Sequence, residues 1–507
     1  MIFKVYLLYY YYICNKVIEE AEGMSTTQPL HIAVNQNILE MEYAVRGPIP
    51  KRAAELRKQG MTTIPCNIGN PQALGQSPIT FYRQVLGLVE DPSKIERERQ
   101  FAKLLKSNIN ALNGIKSTDL ISDYVLDLSE NFLARMGNGL GAYSDSNGPL
   151  FIREAVAKFI DKRDGVDSSH GVRSNPDHIF ITNGASEGAR HIIDLLITDK
   201  NDGIMIPIPQ YPLYSASIRK AGGVQVNYYP DEDSGWTLNS SLLYESLNSA
   251  RKEGVRVKAI VVINPGNPTG AILEKKTIME VIDFAKENDI VIIADEVYQE
   301  NTYGEKFVSF ANVLGKEDVP LFSLHSISKG FYGECGHRGG YLEIRNSPRA
   351  KGTDISFIDI ILKQASVSLC SNTVGQLLIY LMVNSPEEGS EPYEQFKREK
   401  QFILDELYDK ATAIREGFKQ MDSVECFGRT GAMYLFPRLN KLPEGSTDFD
   451  YCMSLLENTG LSTVNGAGFG QKEGTHHLRI AFLPPKRLIE KVLPKWISFH
   501  NEYVNRK

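Results

Sequence analysis

KAIVVINPGNPTG at 258–270, a charged interval to residue 288, then DIVIIADEVY at 289–298: this run decides the fold. Its two apolar segments do not alternate with polar residues, as expected for strands covered on both faces of a sheet. The interval between them carries a helical pattern. A strand, a helix and a strand in that order place the two strands parallel. The same texture continues outward on both sides. HIFIT (178–182) precedes NGASEGARHIIDLLI, GIMIPIP (203–209) runs into QYPLY, and two further apolar strands bracket 320–344. The expectation is an α/β protein with a large domain at 101–384, its mainly parallel sheet held between helices. In such sheets ligands lie beyond the carboxyl ends of the strands.

After about residue 380 the pattern changes. SPEEGSEPYEQ (385–395) reads as a polar linker, and an amphipathic helix follows with Leu404, Leu407, Ala411, Ile414, Phe418 and Met421 on one face. Short strands VECF, AMYLF and HLRIAF then alternate with helices. This predicts a second, smaller α+β domain at 385–507, with residues 24–100 forming an N-terminal arm and part of it.

The 507 residues exceed what one core serves, which agrees with two domains. A net charge of -6 gives no sign of a nucleic-acid partner. The six cysteines form no CxxC pair, so neither a metal site nor a disulfide framework is expected. MIFKVYLLYYYYIC at the N-terminus is too short for a bilayer, which needs about 20 residues. It also lacks a basic leader and a cleavage site. Residues 1–23 are read as an extension of unknown role, with the working protein starting at Met24. A cytoplasmic location is expected, or an organellar matrix if 1–23 is a targeting segment.

Several strand ends carry chemistry. PLFSLHSISKGFYGECGHRGGYLEI (320–344) places Lys329 directly after an apolar strand, between Ser326 and Ser328 on one side and Arg338 on the other. An amine, hydroxyls, a guanidinium fork and a glycine-rich backbone suit pyridoxal phosphate, with its aldehyde condensed on Lys329. The plain alternative is a surface lysine in a turn. After HIFIT, Gly184, Ala185 and Ser186 open a helix whose N-terminus suits a phosphate, or Ser186 is simply its cap. Asn267 in the PGNPTG turn and Tyr298 can both reach a ring oxygen; the turn by itself is also an ordinary tight turn. Asp295 closes a buried strand and needs a cation, either a pyridinium nitrogen or a salt-bridge partner. Tyr211 offers a face for stacking, or only core packing. Arg479, alone in the apolar strand HLRIAF, suits a carboxylate, or faces water from an edge strand.

Nine stretches together resemble the fold-type-I, pyridoxal-phosphate-dependent aminotransferases, over nearly all of 30–505: EYAVRGPIP, NIGNPQ, GAYSDSNG, TNGASEGAR, PIPQYPLY, NPGNPTG, ADEVYQEN, SISKGFYGECGHRGGY and HLRIAFLPP. GECGHRGGY and YAVRG are narrower and are similar to the alanine subgroup. The resemblance implies that Lys329 is the cofactor lysine and proton shuttle, and that Asp295 pairs with the pyridine nitrogen. It implies that Asn267 and Tyr298 hold the ring hydroxyl, that Tyr211 stacks, and that Ala185, Ser186, Ser326 and Arg338 take the phosphate. One extra residue separates Lys329 from Arg338 relative to aspartate aminotransferases, which leaves His337 as the neighbouring alternative. Arg479 would hold the substrate α-carboxylate, beside Asn267 and the covering loop at Gly69. Tyr143 would reach the neighbouring subunit's phosphate site, which implies a homodimer. The implied reaction is L-alanine with 2-oxoglutarate giving pyruvate and L-glutamate, ping-pong through pyridoxamine phosphate, with glyoxylate as the runner-up acceptor. Fold does not dictate chemistry. A lyase on the same fold would release ammonia or CO2 without an acceptor. A non-catalytic regulator would want a fused DNA-binding segment, and no basic helix-turn-helix-like stretch precedes residue 65.

Overall fold

The computed structural model describes residues 31–42, 47–107, 120–137, 139–167 and 171–506. The tyrosine-rich run within 1–23 and Tyr43–Arg46 of the YAVRG motif lie outside the described residues. The described residues up to Glu40 belong to a unit of their own and include the short helix Gln36–Leu39, capped by the Asn35 side chain. Everything below concerns the unit from Met41 onward.

The main sheet has seven strands: β1 (Ile179–Thr182), β2 (Asp202–Pro207), β3 (Val224–Tyr228), β4 (Arg256–Ile263), β5 (Val291–Asp295), β6 (Leu321–Ser326) and β7 (Gly340–Arg345). Their order across the sheet is β1-β7-β6-β5-β4-β2-β3. Only β7 runs against its neighbours, pairing antiparallel with both β1 and β6. Thr182, Ser326 and Gly340 are in register at one edge of the sheet. The reversal of β7 therefore brings its first residue to the edge where the other strands end.

Successive strand residues face opposite sides, and both sides are apolar. Ile204, Val261 and Ile293 join the core with the helices Leu150–Asp164 and Ala185–Leu196. Met205, Ile260 and Ile292 join the core with the helices Ser240–Lys252 and Lys275–Glu287. This double cover explains the unbroken apolar runs at 259–263 and 290–294.

Beyond the sheet, β8 (Tyr434–Leu435), β9 (Val464–Asn465) and β10 (Leu478–Ala481) form a small antiparallel sheet with β10 in the centre. The strand Ile64–Pro65 pairs with Leu461–Ser462, tying an early segment to a late one. The long helix runs Tyr393–Phe418 and so begins inside the expected polar linker. Its charged first turns hide one apolar anchor, Phe396, which is buried. Among the described residues no helix is long and apolar enough to cross a membrane.

Candidate active site

The edge where the strands end collects the expected residues in the order of the sheet. Gly184, Ala185 and Ser186 follow β1, and Arg338 precedes β7. Ser326 ends β6 and Lys329 follows it. Asp295 ends β5, with Tyr298 three residues on. Asn267 follows β4, and Tyr211 and Tyr214 follow β2. Arg479 comes from the other side, on the central strand of the small sheet.

Lys329 lies at the middle. Its Nζ donates to the Gly69 carbonyl at 3.0 Å and sits 5.6 Å from the Tyr298 ring centre. The loop at 67–71 thus reaches the lysine. Gly69 is obligatory there for want of space: a Cβ would collide with the Tyr434 hydroxyl and stand 3.2 Å from Lys329 Nζ. The Asp295 carboxylate is buried and accepts from the Tyr214 hydroxyl at 2.7 Å. Burial pushes its pKa up, and the bonds from Tyr214 and the Val297 N–H oppose that rise, as does the Lys329 charge. No ion pair to Asp295 forms among the described residues, so the salt-bridge alternative is not met. The Asn267 amide donates to the Tyr298 hydroxyl at 3.1 Å. Tyr211 is half-buried and lies near enough to Tyr214 and Tyr298 to affect both electrostatically.

Arg479 is buried, at 2% exposure, which excludes the water-facing alternative. Its guanidinium lies 4.3 Å from the Tyr434 ring centre and 4.6 Å from that of Phe469. It donates to the Asn67 carbonyl at 2.7 Å and to the Asn267 side-chain oxygen at 3.3 Å. Its Nε has no partner, and no carboxylate pairs with it among the described residues. A buried charge left uncompensated costs about 3–5 kcal/mol. An incoming carboxylate would remove that cost.

At the other end, the helix Ala185–Leu196 starts from Gly184 with no side-chain cap. Ser186 is therefore not the cap. Gly184 has φ +82°, and a Cβ on it would lie 2.5 Å from the Arg338 guanidinium. Arg338 donates to the Asn183 and Cys335 carbonyls at 3.0 and 2.9 Å and to Ser186 Oγ at 3.4 Å. His337 turns away, with Nδ1 2.8 Å from Glu334. Ser326 Oγ accepts from the Ser328 N–H at 3.0 Å and donates to the Gly339 carbonyl at 3.1 Å. Helix N–H groups, hydroxyls and a guanidinium with no carboxylate partner among the described residues make an anion cradle.

Tyr143 is not brought into this cluster. It stands 78% exposed in the loop before the helix Leu150–Asp164. Two contributors were not foreseen. Tyr214 partners Asp295, and Tyr434 joins Tyr298, Arg479 and Gly69. PIPQYPLY offers two tyrosines with no local sign of which one reaches the carboxylate. AMYLF reads as an ordinary core strand.

This is the fold of solved aminotransferases. The alanine aminotransferase of Pyrococcus furiosus superposes with a TM-score of 0.73 at 25% identity, over 93% of this chain and all of that one. The chain belongs to the aminotransferase class I and II family, which residues 103–493 match. It is 41% identical over 497 residues to alanine aminotransferase 2 of Panicum miliaceum, covering 93% of this chain and 97% of the relative. It is 40% identical over 491 residues to glutamate–glyoxylate aminotransferase 1 of Arabidopsis thaliana, covering 93% and 96%.

Proposed function

We propose that the chain holds pyridoxal phosphate on Lys329 and moves the amino group of L-alanine to 2-oxoglutarate, giving pyruvate and L-glutamate. One observation carries the reading: Arg479 and Arg338 stand at the two flanks of the lysine site, and neither has a carboxylate partner among the described residues. Arg479, with its orphaned Nε, suits the α-carboxylate. Arg338, Ser186, Ala185 and Ser326, at an uncapped helix N-terminus, suit the cofactor phosphate. The donor set between them fits the cofactor ring. Asp295, whose carboxyl is pushed up by burial, gains a cation if it meets a protonated ring nitrogen. Tyr298 and Asn267 would hold the ring hydroxyl, and Tyr211 would lie against the ring.

When bound, the cofactor acts as an electron sink that acidifies the substrate Cα–H. The chain supplies the rest. Arg479 and Asn267 orient the α-carboxylate, the Gly69 loop covers the amine, and Lys329 takes the Cα proton and carries it across. With two substrates sharing one site in turn, kinetics should be ping-pong. We further propose a homodimer in which the exposed Tyr143 serves the partner's phosphate site.

Relatives of nearly equal identity are named for alanine and for glyoxylate. Glyoxylate is therefore kept as a second acceptor. A small pocket separates one-carbon differences by about 1–3 kcal/mol. The test has two parts. Borohydride treatment of the protein loaded with pyridoxal phosphate should fix the cofactor on Lys329, and an adduct on another lysine overturns the assignment. With 2-oxoglutarate, kcat/KM should be higher for alanine than for aspartate or tyrosine. An aspartate or tyrosine advantage of tenfold, about 1.4 kcal/mol, overturns the choice of alanine and leaves the aminotransferase in place. Ammonia or CO2 release without an acceptor would instead indicate a lyase.

A further inference from the structure

The segment that follows Gly69 rests on the turn that follows Lys329. Gln76 Nε2 donates to the Phe331 carbonyl at 2.9 Å. A Cβ on Gly333 would stand 2.7 Å from Gln76 Nε2 and 3.2 Å from the Pro71 side chain. A further contact is charged. Glu334 is buried, and Arg83, on the helix Thr80–Glu90, donates to its Oε2 at 3.0 Å. His337 Nδ1 lies 2.8 Å from the same oxygen. The Arg83 nitrogen that serves Glu334 also donates to Gln72 Oε1 at 2.9 Å. One carboxylate thus stands between the segment that carries Gly69 and the turn that carries Arg338.

That turn is closed at its neck by Ile327, which accepts from the Glu334 N–H at 2.9 Å and donates to the Gly339 carbonyl at 3.2 Å. Between these bonds Arg338 has φ +53°. Residues with a side chain rarely adopt that conformation, and they keep it only where the surroundings hold it. Glu334 holds the residue before Arg338 twice, because its carbonyl accepts from the His337 N–H at 3.2 Å and its carboxylate lies against the His337 ring.

We infer that Glu334 is a positioning residue that ties the covering segment to the phosphate cradle: through Arg83 it holds Gln72, and through His337 it holds Arg338. The inference rests on the proposed roles of Arg338 and the Gly69 loop. A buried carboxylate is costly unless paired, so Glu334 keeps its partners in place. An ionised acceptor also binds them more strongly than a neutral amide of the same shape. The effect falls on affinity, for the cofactor at one end and for the substrate at the other.

Glu334→Gln keeps the shape and removes the charge. The Kd of the apoprotein for pyridoxal phosphate should rise about tenfold or more, as for a lost charge-assisted bond. The phosphorus NMR resonance of the bound cofactor should shift as Arg338 moves. In the same variant saturated with cofactor, the affinity for 2-methylalanine, which has no Cα hydrogen to lose, should fall about threefold or more in the visible spectrum. Arg83→Gln cuts the tie from its half-buried side and should do the same, which keeps the test open if Glu334→Gln fails to fold. The two changes together should cost no more than the worse one alone. Arg83→Lys keeps a cation facing Glu334 and should stay closer to the parent than Arg83→Gln. Cofactor affinity lost with 2-methylalanine affinity unchanged, an unmoved phosphorus resonance, additive losses, or equal losses in the two Arg83 variants would each overturn the inference. In every variant borohydride should still mark Lys329. An adduct elsewhere refutes the role of the lysine itself and not that of Glu334 alone.

Discussion

Gly69 owes its identity to a neighbour. Its φ does not demand glycine, and the obstacle to a side chain is the Tyr434 hydroxyl. Gly69→Ala should therefore push the loop away from Lys329 and take the carbonyl that accepts from its Nζ out of place. We expect kcat/KM for alanine to fall about tenfold or more, with the melting temperature little changed. The pair should also be coupled, because residues in contact depart from additivity by about 0.5–3 kcal/mol. Gly69→Ala in a Tyr434→Phe background should therefore cost less than in the parent. Full additivity in steady-state assays would show that the collision is relieved elsewhere.

At the scale of the element, β6 carries a group that the reaction does not use. His325 is buried and lies parallel to Phe159 with ring centres 6.5 Å apart. Burial, and then the Arg163 charge, lower its pKa to about 3. The unfolded chain binds a proton at this histidine below its ordinary value of 6.5 and the folded chain does not. Stability should thus fall as pH drops through that window, by at most about 1.4 kcal/mol per pH unit. Glu296 faces the same cluster with its pKa raised by burial to about 7, and it works in the opposite sense. Between its ordinary value of 4.5 and 7 the unfolded chain ionises first, so rising pH weakens the fold. Replacing the histidine separates the two. His325→Leu should lose less melting temperature than the parent between pH 6.5 and pH 4.5. Parallel curves would mean that His325 titrates alike in both states.

At the scale of the whole molecule, the proposed homodimer is tested at Tyr143. Tyr143 stands exposed in a loop anchored by Ser144 to Gln376 and by Ser146 to the Leu369 carbonyl. A large aromatic side chain held out on a fixed loop has the form of a donated group. Mixing Tyr143→Phe with Lys329→Ala subunits should yield heterodimers with one intact site. Activity above both parents in the refolded mixture is expected, and none would place Tyr143 outside the site.

Much of this molecule was legible in the order of its residues. Doubly covered strands leave unbroken apolar runs, and their carboxyl ends mark the site, so Lys329, Asp295, Asn267 and Tyr298 could be picked out along the chain. Those signals are local because a strand and the turn after it are contiguous. Tertiary structure alone decided who meets whom across the site. Tyr214, and not a cation, reaches Asp295. Gly184, and not Ser186, starts the helix of the anion cradle. Tyr434, in a stretch that reads as core, meets Tyr298 from more than a hundred residues away. Burial and contact between distant segments leave no periodic trace in sequence, because any tyrosine that packs well in a strand looks the same until the opposite wall of the site is in place.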